Sequence, residues 1–170
     1  MENTNKNFID SYKKNHTERI NSIFMNRAID MANKSEGGPF GAVITKDERI
    51  IGVGNNRVTI TNDPTAHAEI IAIRNACNKI NNFSLEDCIL YTSCEPCPMC
   101  LSAIYWSRIK TVYYANTKND AASIGFDDKE IYEEISKPNE NRKIKIEQIK
   151  ETNAIETFNK WKNNNSKIMY

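Results

Sequence analysis

The order of predicted elements implies an α/β fold, a parallel or mixed sheet carrying helices on both faces. Two observations lead there. Strand-like and helix-like stretches alternate as β-α-β-α-β through the middle of the chain, and the helical stretches are punctuated by capping residues and breakers. At 170 residues the chain is one domain's worth, enough to bury roughly two-thirds of the surface an unfolded chain exposes.

The first 17 or so residues are Asn- and Lys-rich and read as a polar extension, frayed or loosely helical, ahead of a single domain over 18–170. From Thr17 the spacing turns helical, with Ile20, Ile23, Phe24, Ala28 and Met31 on one stripe, and Ser35-Glu36-Gly37-Gly38-Pro39 ends it. Gly41–Lys46 and Arg49–Asn55 read as a hairpin around Lys46-Asp47-Glu48. Asp63 and Pro64 mark a helix start, with the helix expected from about Thr65 to Lys79. Asp87–Thr92 is a mostly apolar strand; a helix over about Pro98–Arg108 and a strand over Lys110–Ala115 follow. Further on, Asp120–Glu134 suggests short helices, Lys143–Ile149 alternates like a strand, and Asn153–Trp161 has a helical apolar pattern. A polar run then leads to Ile168-Met169-Tyr170.

Composition narrows the class. A formal charge of +1 supplies no electrostatic footprint for nucleic acid, which is therefore not expected as a partner. No stretch approaches the ~20 apolar residues of a membrane span, and the polar start lacks the apolar run of an export signal, so the expected compartment is the cytoplasm. Three of the five cysteines, Cys94, Cys97 and Cys100, crowd together, which favours metal over disulfides.

The chemistry concentrates in His67-Ala68-Glu69 and Pro96-Cys97-Pro98-Met99-Cys100. Together they match the H-x-E and P-C-x-x-C pairing of zinc-dependent deaminases. One imidazole and two thiolates make a three-ligand zinc site that keeps a position for water. His67 is expected in the first turn of one helix, and Cys97 and Cys100 one turn apart at the start of another, where helix N-termini favour thiolate. Glu69 is the expected general base, because the only other histidine, His16, sits in the polar extension. Cys94 reads as non-ligating, and Cys77 and Cys88 as core thiols.

On these motifs the sequence resembles the cytidine deaminase superfamily, and within it the bacterial guanine deaminases. The matching segments are GGPFGAVI, NDPTAHAEI, CILYTSCEPCPMC, AIYW and DAASIGFDD, covering most of the chain after the extension. The resemblance implies a three-layer α/β/α sandwich with a five-stranded mixed sheet, and a Zn2+ cofactor. It also implies a homodimer whose C-terminal segment can cross to the partner's site. It implies a purine base as small-molecule substrate, with Phe40 and Trp106 flanking the ring, Asn56 on its polar edge and Ala68 among the binding positions. Asp128 would be a second proton shuttle, and Tyr170 would close over the base. Each has a plainer reading: core packing for Phe40 and Trp106, a turn residue for Asn56, a surface carboxylate or helix cap for Asp128, a frayed end for Tyr170.

Three functions stay open. The first is deamination of guanine to xanthine and ammonia. The second is a related deamination, of a tRNA adenosine, guanosine or cytosine, since NDPTAHAE and EPCPMC also occur in tRNA adenosine deaminases. The third is a zinc-binding module without turnover, which would want a fourth protein ligand.

Overall fold

The computed structural model describes residues 2–170. A long helix α1 (Glu2–Asn33) leads into the hairpin β1 (Gly41–Lys46) and β2 (Arg49–Asn55). A short helix α2 (Val58–Thr61) precedes α3 (Ala68–Ile80). Strand β3 (Ile89–Cys94), helix α4 (Pro98–Trp106) and strand β4 (Thr111–Asn116) complete the sheet. Helices α5 (Lys118–Ser123) and α6 (Asp128–Ser136), a 3₁₀ turn at Asn139–Asn141 and α7 (Ile155–Lys162) follow. Residues 2–16, expected as a loose extension, are continuous with α1. Among the described residues no helix is long and apolar enough to cross a membrane.

The sheet is mixed, in the order β2-β1-β3-β4. β1 pairs antiparallel with β2 and with β3, whereas β3 and β4 run parallel, joined by the crossover through α4. The hairpin turn places Asp47 (φ 48°) and Glu48 (φ 58°) in the left-handed region, as a two-residue turn between right-twisted strands requires.

Alternation along the strands sorts side chains between two cores. Val43 and Tyr91 face α1, where they meet Phe24 and Ala28, and the Tyr91 hydroxyl donates to Asn21 Oδ1 at 2.8 Å. Ala42, Ile44 and Leu90 face the opposite side and pack on Ala68, Ala72 and Ala76 of α3 and Ile104 of α4. The result is helix, sheet, helix: three layers, as expected.

The sheet has four strands, not the expected five. Lys143–Ile149 joins no ladder, and its alternating apolar groups lie open, with Ile144 75% and Ile149 82% exposed. Alternation makes a strand only where one face is buried. Here the start of the segment is tied instead to α6: Lys143 N donates to Glu134 Oε2 (2.8 Å), and Arg142 donates to the Lys137 and Ile135 carbonyls.

The helix expected from Thr65 begins later, at Ala68. Asp63 does act locally, its Oδ1 accepting from Thr65 N (2.8 Å) and Thr65 Oγ1 (2.6 Å), but the turn it makes delays the helix by three residues. The cap is therefore His67 itself.

Contact between β2 and the start of α3 is close. A Cβ on Gly54 would sit 2.1 Å from the Ala68 carbonyl oxygen, so only glycine lets the strand approach the turn that carries His67 and Glu69. Gly54→Ala is expected to cost about 1–3 kcal/mol of stability. Thermal unfolding checks this: Tm falls by roughly 3–10 °C for a chain of this size.

Candidate active site

His67 and Cys97 occupy matching places in the fold. Each is the N-cap of a helix, α3 and α4 respectively, and each has extended backbone (ψ 158° and 167°). An N-cap side chain ordinarily accepts from the free amides of the first turn. The His67 ring instead faces the sulfurs across the gap between the two helices. Pro98, at the first position of α4, costs no hydrogen bond there and presets the backbone of the turn that carries Cys100.

His67 Nδ1 lies 3.6 Å from Cys97 Sγ and 3.6 Å from Cys100 Sγ. The three donor atoms all fall within 4.8 Å of one another. Bonds of ~2.0 Å to nitrogen and ~2.3 Å to sulfur around a tetrahedral ion would hold N and S about 3.6 Å apart, so the donors fit zinc as they stand. Cys94 is not a fourth donor; its thiol donates to the Thr117 carbonyl at 3.6 Å. A three-donor set is that of a catalytic rather than a structural zinc site.

Electrostatics agree with the geometry. A hydrogen bond from Cys100, followed by one with His67, pushes the Cys97 thiol down to about 4. The Cys100 thiol is raised by that same contact and by burial, so of the two sulfurs Cys97 is the first thiolate. The hydrogen bond with Cys97 raises the His67 imidazole. A cluster that already favours negative charge on sulfur is prepared for a dication.

Glu69 sits one residue inside α3, 6% exposed. Its Oε1 accepts from the Thr92 hydroxyl (3.3 Å) and its Oε2 from the Cys100 thiol (3.4 Å). Burial raises its carboxyl above the usual carboxylate range. A carboxylate held beside a metal-donor cluster, with its proton affinity raised, is suited to accept and return protons.

These groups open into a cavity of about 280 Å³, at the small end of ligand pockets, on the scale of a single ring system. Phe40 and Phe126 form one wall, in edge-to-face contact with centroids 4.7 Å apart. Asn56 forms another: it is 4% exposed, and its Oδ1 accepts from Val58 N at 3.0 Å, which fixes the amide and leaves its NH2 uncommitted to that bond. Asp128, the first residue of α6, completes the lining opposite the metal donors, and burial raises its carboxyl. One turn along α6, the Tyr132 hydroxyl donates to the Pro96 carbonyl at 2.7 Å and ties this segment to the cysteine loop.

The structure brings together His67, Glu69, Cys97, Phe40, Asn56 and Asp128 around one cavity, with Cys100 buried behind it in the donor cluster. Ala68 is fully buried beneath it, packed in the core against the sheet. Trp106 and Tyr170 do not line the cavity. They contact each other elsewhere, ring centroids 5.7 Å apart, with Trp106 60% exposed. The physical reason is helical: Trp106 ends α4 six residues, about 1.7 turns, beyond Cys100, so its side chain leaves the helix away from the metal end. Sequence reasoning passed over Thr92, Phe126 and Glu95. Glu95 accepts from Lys118 N (3.0 Å) and Lys118 Nζ (3.2 Å), anchoring the cysteine loop to α5. The signal for Thr92 was the two-residue period of β3, which puts it on the face of Leu90 and Cys94.

Fold and site together define a zinc-dependent deaminase. The description "Cytidine and deoxycytidylate deaminase zinc-binding region" matches residues 18–116, and the chain belongs to that family. It is similar to guanine deaminase of Bacillus subtilis (strain 168), 54% identical over 151 residues, which are 86% of this chain and 97% of that protein. The X-ray structure of guanine deaminase from B. subtilis superposes with a TM-score of 0.84, covering 88% of this chain and 98% of that one. The tRNA-specific adenosine deaminase of Aquifex aeolicus is 37% identical over 131 residues, 74% of this chain and 83% of that protein.

Cys97→Ser is expected to lose the metal and with it part of the stability. Metal analysis and thermal unfolding check it: stoichiometric zinc falls to near zero, and the variant's Tm matches that of chelator-treated wild-type protein.

Proposed function

We propose that this protein hydrolyses guanine to xanthine and ammonia. One observation carries the reading: a buried carboxylate, Glu69, in contact with a His67-Cys97-Cys100 donor set inside a cavity sized for one ring system. The similarity to guanine deaminase along nearly its whole length selects the base.

His67, Cys97 and Cys100 would hold the zinc, which when bound lowers the pKa of a water towards ~7. The chain's own groups do the rest. Phe40 offers a ring face to the purine, and the Asn56 NH2 donates to an acceptor on its polar edge. Glu69 accepts the proton of the attacking water and delivers it to the ring nitrogen beside C2. The new C2 hydroxyl gives up its proton, the exocyclic amine nitrogen gains one, the bond between C2 and that nitrogen breaks, and ammonia leaves as the C2 carbonyl of xanthine forms. Because that carbon lies between two ring nitrogens, departure needs more proton handling than one glutamate supplies. Asp128, its proton affinity raised by burial, is the second carrier.

Trp106 and Tyr170 enter this reading through a dimer. The tail of each chain lies outside its own cavity and ends in exposed Ile168, Met169 and Tyr170, and the outer edge of β4 carries no further strand among the described residues. A homodimer in which the tail crosses to close the partner's cavity would cover these groups. The deaminase domain then spans 18–170, and residues 1–17 precede it. Five free cysteines and a small metabolic substrate suit the cytoplasm.

Zinc-loaded protein offered guanine, guanosine, cytosine, adenine and tRNA separately is expected to release ammonia from guanine. Release from tRNA alone would replace this reading with tRNA adenosine deamination. Glu69→Gln is expected to keep zinc yet lose roughly 10²–10⁴ in kcat, as removal of a general acid–base group does. Light scattering after size exclusion is expected to give twice the chain mass, and deletion of residues 163–170 to raise KM for guanine.

A further inference from the structure

We propose that Thr92 is a positioning residue for the reaction: its hydroxyl holds Glu69 Oε1, so that Oε2 is the oxygen presented to the reacting atoms. The inference rests on Glu69 being the proton carrier of the preceding reading.

The two-residue period of β3 puts Leu90, Thr92 and Cys94 on one face of the sheet. Leu90 fills the core beneath α3 and α4, and Cys94 reaches the cavity. Thr92, between them, is 1% exposed and lines no part of the cavity, so it meets Glu69 but no substrate. Its hydroxyl donates to Oε1 at 3.3 Å.

The division of the carboxylate follows. Oε2 faces the metal donors through the Cys100 thiol at 3.4 Å, whereas Oε1 faces the sheet. Glu69 also has a contact with its own backbone amide. A buried carboxylate free to rotate about its last torsion would exchange the two oxygens, since that torsion is broad and two-fold. A donor at one oxygen removes the exchange. Thr92 is itself immobile: its backbone is paired with Ala42 on one side and Tyr114 on the other, and its β-branched side chain is stiff at χ1. The sheet thus reaches the proton carrier through one hydroxyl.

The test compares Thr92→Val, which keeps the shape and removes the donor, with Thr92→Ser, which keeps the donor. Both are assayed on whichever base the wild-type enzyme turns over. Thr92→Val is expected to lose about 10- to 100-fold in kcat, the scale of a hydrogen bond to a charged group, with KM and zinc content near wild type. Thr92→Ser is expected to stay within about threefold of wild type. A Val variant with wild-type kcat, or a Ser variant that falls as far as Val, overturns the proposal. If the Val chain does not fold, Thr92→Ala takes its place in the same comparison with the same two outcomes.

A second readout does not depend on turnover. The infrared band of ¹³C-labelled Glu69, isolated as the difference from Glu69→Gln, is expected to shift in Thr92→Val and to stay in place in Thr92→Ser. An unmoved band in the Val variant overturns the proposal. A wild-type protein that deaminates no base would refute the functional reading, and the infrared comparison would still decide the Thr92–Glu69 contact.

Discussion

Everything at the site depends on two helices starting within one bond network of each other. His67 caps α3, Cys97 caps α4, and Cys100 lies one turn into α4. Their side chains converge there, His67 Nδ1 lying 3.6 Å from each sulfur. What brings them together is the sheet: α3 lies on β1 and β2, and Ile104 of α4 packs into the same core cluster as Ala42, Ile44 and Leu90. Gly54 sets the distance on one side, and the parallel crossover from β3 to β4 sets it on the other. Each chemical group is then placed by its offset from a cap: Glu69 two residues after His67, Cys100 three after Cys97.

That dependence explains what could be read from the sequence. The hairpin, α3, β3, α4 and β4 follow from patterns carried within each segment: period-two alternation, period-three-to-four stripes, and Gly or Pro at the ends. The zinc donors were legible because their spacing encodes helix geometry directly, a metal ligand beside each helix start. The start of α3 was read three residues early because Asp63 and Pro64 resemble a cap; the competing Asp63–Thr65 turn depends on side-chain hydrogen bonding that residue types alone do not reveal.

Tertiary placement was the part that could not be read. Lys143–Ile149 carries the alternation of a strand, yet among the described residues no element covers one of its faces. Trp106 belongs to a matching segment and Tyr170 ends an aromatic tail, but residue type and segment do not say which way a side chain leaves α4 or where a tail comes to rest. Thr92 hid in an apolar strand as an unremarkable β-former; its contact with Glu69 joins residues 23 positions apart. Such pairs exist only once a helix has been laid across a strand.

The cavity is built from two kinds of wall. Its floor is buried: Cys97 and Cys100 pack in a core cluster with Ile70, and Glu69 is bonded to Thr92 of the sheet. Its roof, Phe126 and Asp128, is carried by the segment after α5 and is held to the rest by the Phe40 contact, the Tyr132–Pro96 bond and the Glu95–Lys118 bonds. Substitutions at Phe126 and its neighbours before Asp128 can therefore reshape this wall while the metal donors below stay in place. A lineage built on this scaffold can trade one heterocycle for another by redrawing the short stretch between α5 and Asp128, and keep its reactive groups in place.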